Sequence, residues 1–167
     1  MTKHILITAG LLLAGVPGHT SDTEAKMAFA RLRTLAGEWQ ADSPMGKAHV
    51  SYQVIAGGSA IVERETMDGM PEMSMETVFH LDGSRLILTH YCMAGNQPRM
   101  VARSYSPTTG DLRFEFLDAT NLATPNAGHM HNASLHFVDG QHFSSEWQFY
   151  ENGQPKTTES FQFTRVR

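Results

Sequence analysis

The stretch 142–164 reads HFSSEWQFYENGQPKTTESFQFT, and its two halves follow one pattern. Phe143, Ser145, Trp147 and Phe149 alternate with Ser144, Glu146 and Gln148. Beyond Asn152-Gly153, Phe161 and Phe163 alternate with Ser160, Gln162 and Thr164. A period of two sends successive side chains to opposite faces of a strand. Asn-Gly between two such runs supplies the positive φ that a tight reversal needs, so the stretch reads as an antiparallel hairpin.

Working outward, the same grammar covers the chain back to Gly37. Strands are expected near 37–42, 46–55, 59–67, 73–81, 84–93, 98–105, 111–118, 130–139, 142–150 and 155–166. The connections carry turn chemistry: Gly57-Gly58, Asp82-Gly83, Gly95 to Pro98, Pro107 to Gly110 and Asp139-Gly140. Only Ser21–Ala36 reads as helix. Ser21 with Glu24 forms a capping box, Ala25, Ala28, Phe29, Leu32, Leu35 and Ala36 recur at helical spacing, and Gly37 ends it.

Ten strands joined by short turns form a meander, and closure into a barrel removes its edges. A sandwich would need long crossovers, and only 119–129 is long. The expected fold is therefore all-β. It is a single ten-stranded antiparallel up-and-down barrel (37–167), with an N-terminal helix (19–36) capping its closed end. A barrel of that size can hold one small ligand.

The chain has 167 residues, 41% hydrophobic and 18% charged, enough for one domain with its own core. Thirteen basic against 17 acidic residues give a net charge of −4, which excludes a nucleic-acid face. One cysteine excludes a disulfide scaffold and a thiolate zinc cluster. Residues 1–18, MTKHILITAGLLLAGVPG, read as a cleaved signal peptide: Lys3, a twelve-residue apolar run, then small residues. The run is too short to span a bilayer, which takes about 20 residues. Without Lys3 the mature chain holds 12 basic and 17 acidic residues, a net −5. A secreted or periplasmic protein with no membrane anchor is expected.

Leu35-Ala36-Gly37-Glu38-Trp39, after a short helix and opening the first strand, resembles the Gly-x-Trp signature of calycin barrels, the lipocalin and nitrobindin-like proteins. That resemblance implies that Gly37 and Trp39 sit at the closed end, with a late basic residue, Arg165 or alternatively Arg167, across the Trp39 ring. Two departures stand out. Gln40-Ala41-Asp42 replaces the Gly-rich continuation of the nitrobindin motif, and 143–167 lacks the late histidine of a nitrobindin-like haem site. The stretches 88–92, 95–99 and 118–122 are also similar to exported bacterial proteins of unknown function.

Alternating strand direction sorts the polar residues. If Trp39 marks the bottom, then His90, Cys92, Asn96, Asp118, Asn121, His129 and His131 gather at the top with Met67, Met70, Met73, Met75 and Met93. The mouth of a barrel is a preferred place for small ligands. Strict alternation points Met75, Thr77 and Phe79 inward, and likewise Phe114, Phe116 and Asp118. It does the same for His131, Ala133 and Leu135, and for Trp147 and Phe149; in 84–93 the inward face is either Leu88, His90 and Cys92 or Ile87, Tyr91 and Met93, and the first is chosen because Arg85 and Thr89 suit solvent. The expected site comprises His90, Cys92, Phe114, Phe116, Asp118, Asn121, His131, Trp147 and Met75.

The main expectation is a carrier of a small apolar ligand at the open end. The alternative is a metal or haem cofactor on His90, His129 and His131, since imidazole suits Zn, Cu and Fe and His-x-His puts two rings on one face. A thioether Cu(I) site on the Met67–Met75 run competes with its plainer reading as an adaptable apolar rim, which could also grip a partner. A homodimer is compatible with the sequence. No catalytic residue is expected: Cys92 and His90 lie about 6–7 Å apart along a strand, too far for a direct hydrogen bond, and no nucleotide, zincin or hydrolase motif is present.

Overall fold

The computed structural model describes residues 20–166, so the expected signal segment, 1–18, lies outside the described residues. Helix α1 (Asp22–Arg33) opens with the expected capping box: Glu24 donates its amide to Ser21 Oγ, and the Ser21 amide donates to the Glu24 carboxylate. It stops at Arg33 rather than at Ala36. Gly37, at φ 127°, has already turned into the first strand, and the carbonyls of Thr34 and Ala36 are given to Arg165 instead of to helix amides.

Ten strands follow: β1 (Gly37–Ser43), β2 (Gly46–Ile55), β3 (Ala60–Met67), β4 (Met70–Asp82), β5 (Arg85–Tyr91), β6 (Gln97–Ser106), β7 (Asp111–Thr120), β8 (His129–Phe137), β9 (His142–Glu151) and β10 (Gln154–Arg165). Each pairs antiparallel with its sequence neighbours, and β1 pairs with β10 to close the barrel. The ladder at that closing seam is short, Trp39↔Arg165 and Gln40↔Thr164 at the bottom, with the Val166 amide donating to Glu38 O at 2.7 Å beside it.

The bottom is a solid aromatic core. Trp39 is 1% exposed and meets Phe143 edge-on at 4.8 Å between centroids. Phe163 stacks on Phe143 at 4.8 Å. Trp39 Nε1 donates to Leu35 O at 2.7 Å. The Arg165 guanidinium lies 4.1 Å from the Trp39 ring and donates to the carbonyls of Thr34, Ala36 and Gly140. Helix α1 buries Ala25, Ala28, Phe29 and Leu32 in this cluster. Each buried large side chain contributes about 1.5–3 kcal/mol, so this end anchors the fold. Gly110 is obligatory there: a Cβ would stand 2.4 Å from the Phe137 carbonyl oxygen, and its φ is +78°.

The ladder is interrupted between Glu65 and Met67, where β4 carries three extra residues, and by single extra residues at Leu117, at Arg103, at His131 and at Lys156. A bulge turns the following side chains to the other face. All but the one at Arg103 fall near the top, and they decide what lines the mouth.

Candidate functional site

The third strand runs Ile61-Val62-Glu63-Arg64-Glu65, and its inward parity carries acids. Ile61 is fully buried and Glu63 only 6% exposed, whereas Arg64 faces out to Glu76. Cross-strand register sets Tyr52 opposite Glu63, Glu63 opposite Thr77, and Thr77 opposite His90. Four neighbouring strands thus present a polar row to the interior. Thr77 Oγ1 lies 3.5 Å from Glu63 Oε1 and 3.0 Å from His90 Nδ1. The His90 ring packs on Trp147, 4.9 Å between centroids. Trp147 is the cross-strand partner of Glu159 on β10, so through the Trp147 ring the row is joined to Glu159 in one interior belt.

Among the described residues, no lysine or arginine pairs with the acids of this belt. The cationic side chains of the middle strands pair on the outer wall: Arg64 with Glu76, Arg99 with Asp118, Arg103 with Glu115. Burial therefore dominates the acids. It raises Glu63 to about 7. It raises Glu65 to about 8, with the Glu63 and Glu159 charges adding to the effect. Burial also raises Glu159, and it pushes His90 down to about 4. An imidazole held neutral has one bare nitrogen. His90 Nε2 has no hydrogen-bond partner among the described residues, and neither does the buried Asn96 Oδ1.

Above the belt opens a cavity of about 360 Å³, lined by Met73, Met75, Cys92, Met93, Met130 and Phe149, with Thr157 and Glu159. Glu159 belongs to both the cavity and the belt. Cys92 is half-buried, and burial raises its thiol, which makes it a poor nucleophile.

The expected site residues divide among three places. His90, Phe114 and Trp147 are interior, and Met75 and Cys92 line the mouth. Asp118 is not interior. The Leu117 bulge reverses the parity of β7, and Asp118 pairs with Arg99 on the outer wall. Asn121 is exposed, with φ 56°, and donates to the Gly95 carbonyl, tying two top loops together. Asn96 adds a second tie, to Gly128 O at 2.8 Å.

His131 is the bulged residue of β8, so Met130 takes the inward position and lines the mouth. His131 instead fills the seam above Glu115↔Asn132, where β7 and β8 stop pairing. It stacks between Phe116 at 4.6 Å and Tyr150 at 4.0 Å. His129 Nδ1 must donate to Ala127 O at 2.8 Å, so in the neutral pair its Nε2 accepts from His131 Nδ1 at 3.0 Å. Desolvation and the neighbouring ring lower His131.

The three histidines are not joined as a ligand set, and no group of three His, Cys, Asp or Glu among the described residues is placed to hold a metal ion. The haem pattern of nitrobindin-like proteins does not fit either. His142, the histidine of the last two strands, sits at the closed end, exposed and bound to Asp139.

Tyr52, Glu63, Glu65 and Glu159 were not anticipated as site residues, and Thr77 was placed inward without a role. The available signal was Ile61-x-Glu63-x-Glu65-x-Met67, a strand face whose ends are apolar and whose middle is acidic.

No protein-family description matches this chain, and no curated protein does. Solved structures do. One is Rv2717c from M. tuberculosis, 20% identical, with TM-score 0.57, covering 84% of this chain and 98% of that one. Another is a DUF3598-family protein of unknown function from Nostoc punctiforme PCC 73102, 12% identical, with TM-score 0.53. That match covers 81% of this chain and 49% of the other, so this chain spans about half of that protein. At such identities the likeness establishes the barrel fold and nothing of its chemistry.

Proposed function

We propose that this chain is an exported, calycin-type carrier of a small and largely apolar molecule, taken up through the open end of the barrel. One observation carries the reading: the methionine-lined cavity of about 360 Å³ at the mouth, opposite an end that is fully packed. Ligand pockets are commonly of this size, mostly apolar, with a few placed polar groups. Methionine adapts its shape to what it covers. Export is the companion proposal, motivated by residues 1–18. The N-terminus of protein recovered outside the cytoplasm should lie just beyond Gly18.

Native mass spectrometry of the freshly purified protein tests the carrier reading. A bound small molecule at one per chain is expected. Met130→Trp, which fills the mouth, should abolish it while leaving the melting temperature within a few degrees. Equal adducts on both proteins, or none on either, would sink the reading.

A further inference from the structure

We infer that the upper barrel takes the ammonium head of a lipophilic primary amine. Glu159, Glu65 and Glu63 supply the counter-charge, His90 Nε2 is an acceptor, and the methionine collar surrounds the tail. The inference rests on the carrier reading above and names its ligand class.

Three observations converge. First, the interior holds three carboxyls, and none of them takes part in an ion pair among the described residues, while Arg64, Arg99 and Arg103 spend their charges outside. A buried carboxylate with no counter-charge is costly. An incoming cation supplies one.

Second, His90 Nε2 is a buried polar atom without a partner, on a side chain 2% exposed. Its state follows from the relay beside it. When Glu63 is ionised, the Thr77 hydroxyl donates to Glu63 and His90 Nδ1–H donates to Thr77. Nε2 is then a lone-pair acceptor. An alkylammonium has three donors and no acceptor, which suits the bare Nε2 and the carboxylates.

Third, the geometry is layered in the right order. Met73, Met75 and Met130 form the apolar collar above, Glu159 lies at the boundary, and the belt is below. Glu65 is cross-strand to Met75, hence on the same interior face.

Uptake then exchanges one positive charge for another. The ammonium enters, a glutamic acid loses its proton to solvent, and charge balances. The groups facing the carboxyls from the neighbouring strands do not interfere. Tyr52 on β2 is raised further above its ordinary range and stays protonated, His90 on β5 stays neutral, and burial raises the Cys92 thiol. Met75 and Thr77 on β4 and Trp147 on β9 carry no charge. Affinity should therefore fall as pH drops from about 8 and the carboxyls reclaim their protons.

Isothermal titration at pH about 8 with four ten-carbon probes tests this: decylamine, decyltrimethylammonium, decanol and decanoate. Decylamine should bind one per chain and about tenfold or more tighter than the other three, with proton release seen as a dependence on buffer ionisation enthalpy. Glu159→Gln and Glu65→Gln should each weaken decylamine about tenfold and leave decanol unchanged. Glu146→Gln, on the outer wall, should change neither. Decanol or decanoate matching decylamine, or indifference to both interior variants, overturns the amine class and leaves the carrier reading standing. No binding by any probe overturns both.

Discussion

Below the belt, the polar atoms that reach the interior have partners: Trp39 Nε1 gives to Leu35 O, and Arg165 serves three carbonyls while covering the Trp39 ring. At and above the belt, both unpartnered buried polar atoms of the described residues are found, on His90 and Asn96, along with three carboxyls that have no counter-charge among those residues. The two halves share one wall and one alternation, yet one is built to be stable and the other gives up stability. Buried polar groups left unpaired cost about 1–3 kcal/mol each, and such a cost in a fold is expected where it serves function.

The largest expected effect lies at the bottom. Trp39→Ala removes a fully buried ring packed on Phe143 and the platform beneath Arg165. A loss of about 3–5 kcal/mol is expected in urea unfolding. A loss below about 1 kcal/mol would show that the closed end is not the anchor.

Next in size is a gain in the upper half. Glu63 titrates near 7 in the fold, above its ordinary 4.5. Its contribution to stability is full below about 4.5 and is lost as pH rises through 7, amounting to about 3 kcal/mol. Glu63→Gln should therefore gain on the parent by about that amount between pH 4.5 and 8. A pH-independent difference would place Glu63 in contact with solvent. His90 contributes with the opposite sign: depressed to about 4, it gives stability present above its ordinary 6.5 and lost as pH falls through 4. Unfolding profiles of the single variants separate the two.

Arg165→Leu comes third. It removes the cation above Trp39 and three hydrogen bonds to carbonyls that water can reach, so about 2 kcal/mol is expected. Arg165→Lys should recover only part, since an ammonium cannot serve three divergent carbonyls and cover the ring together. Full recovery by lysine would reduce the residue's role to its charge.

The closed end was legible in the sequence because its rules are local. A capping box, a helical apolar stripe and period-two alternation each depend on residues a few positions apart, and they located the helix start and all ten strands. The open end was less legible for two reasons. The bulges at Leu117 and His131 each shift parity by one residue, and nothing in 111–120 or 129–137 marks the extra residue by composition. The belt is also a cross-strand object. Tyr52, Glu63, Thr77 and His90 are far apart in sequence and become a row only through register. Glu63 and Glu65 read as ordinary surface acids until Ile61 fixes their face.

The smallest effect tests that parity argument directly. Strict alternation places Asp118 inside with Phe114 and Phe116, where it would join the acids of the belt. The Leu117 bulge places it outside, its side chain 47% exposed and clamped by Arg99. That pair is an exposed one, and exposed pairs contribute about 0.2–1 kcal/mol. Arg99 also holds the Asp118 carboxyl below the usual carboxylate range, so the contribution is present at neutral pH and disappears only in acid. Asp118→Asn should accordingly cost less than about 1 kcal/mol at pH 7. The cost should shrink in high salt, and small-molecule binding should be unchanged. Glu159→Gln, identical in chemistry but on the inner face, should alter binding and barely respond to salt. If Asp118→Asn instead changed binding as Glu159→Gln does, the bulge would not be reversing the strand, and the line drawn between inner and outer carboxylates would have to move.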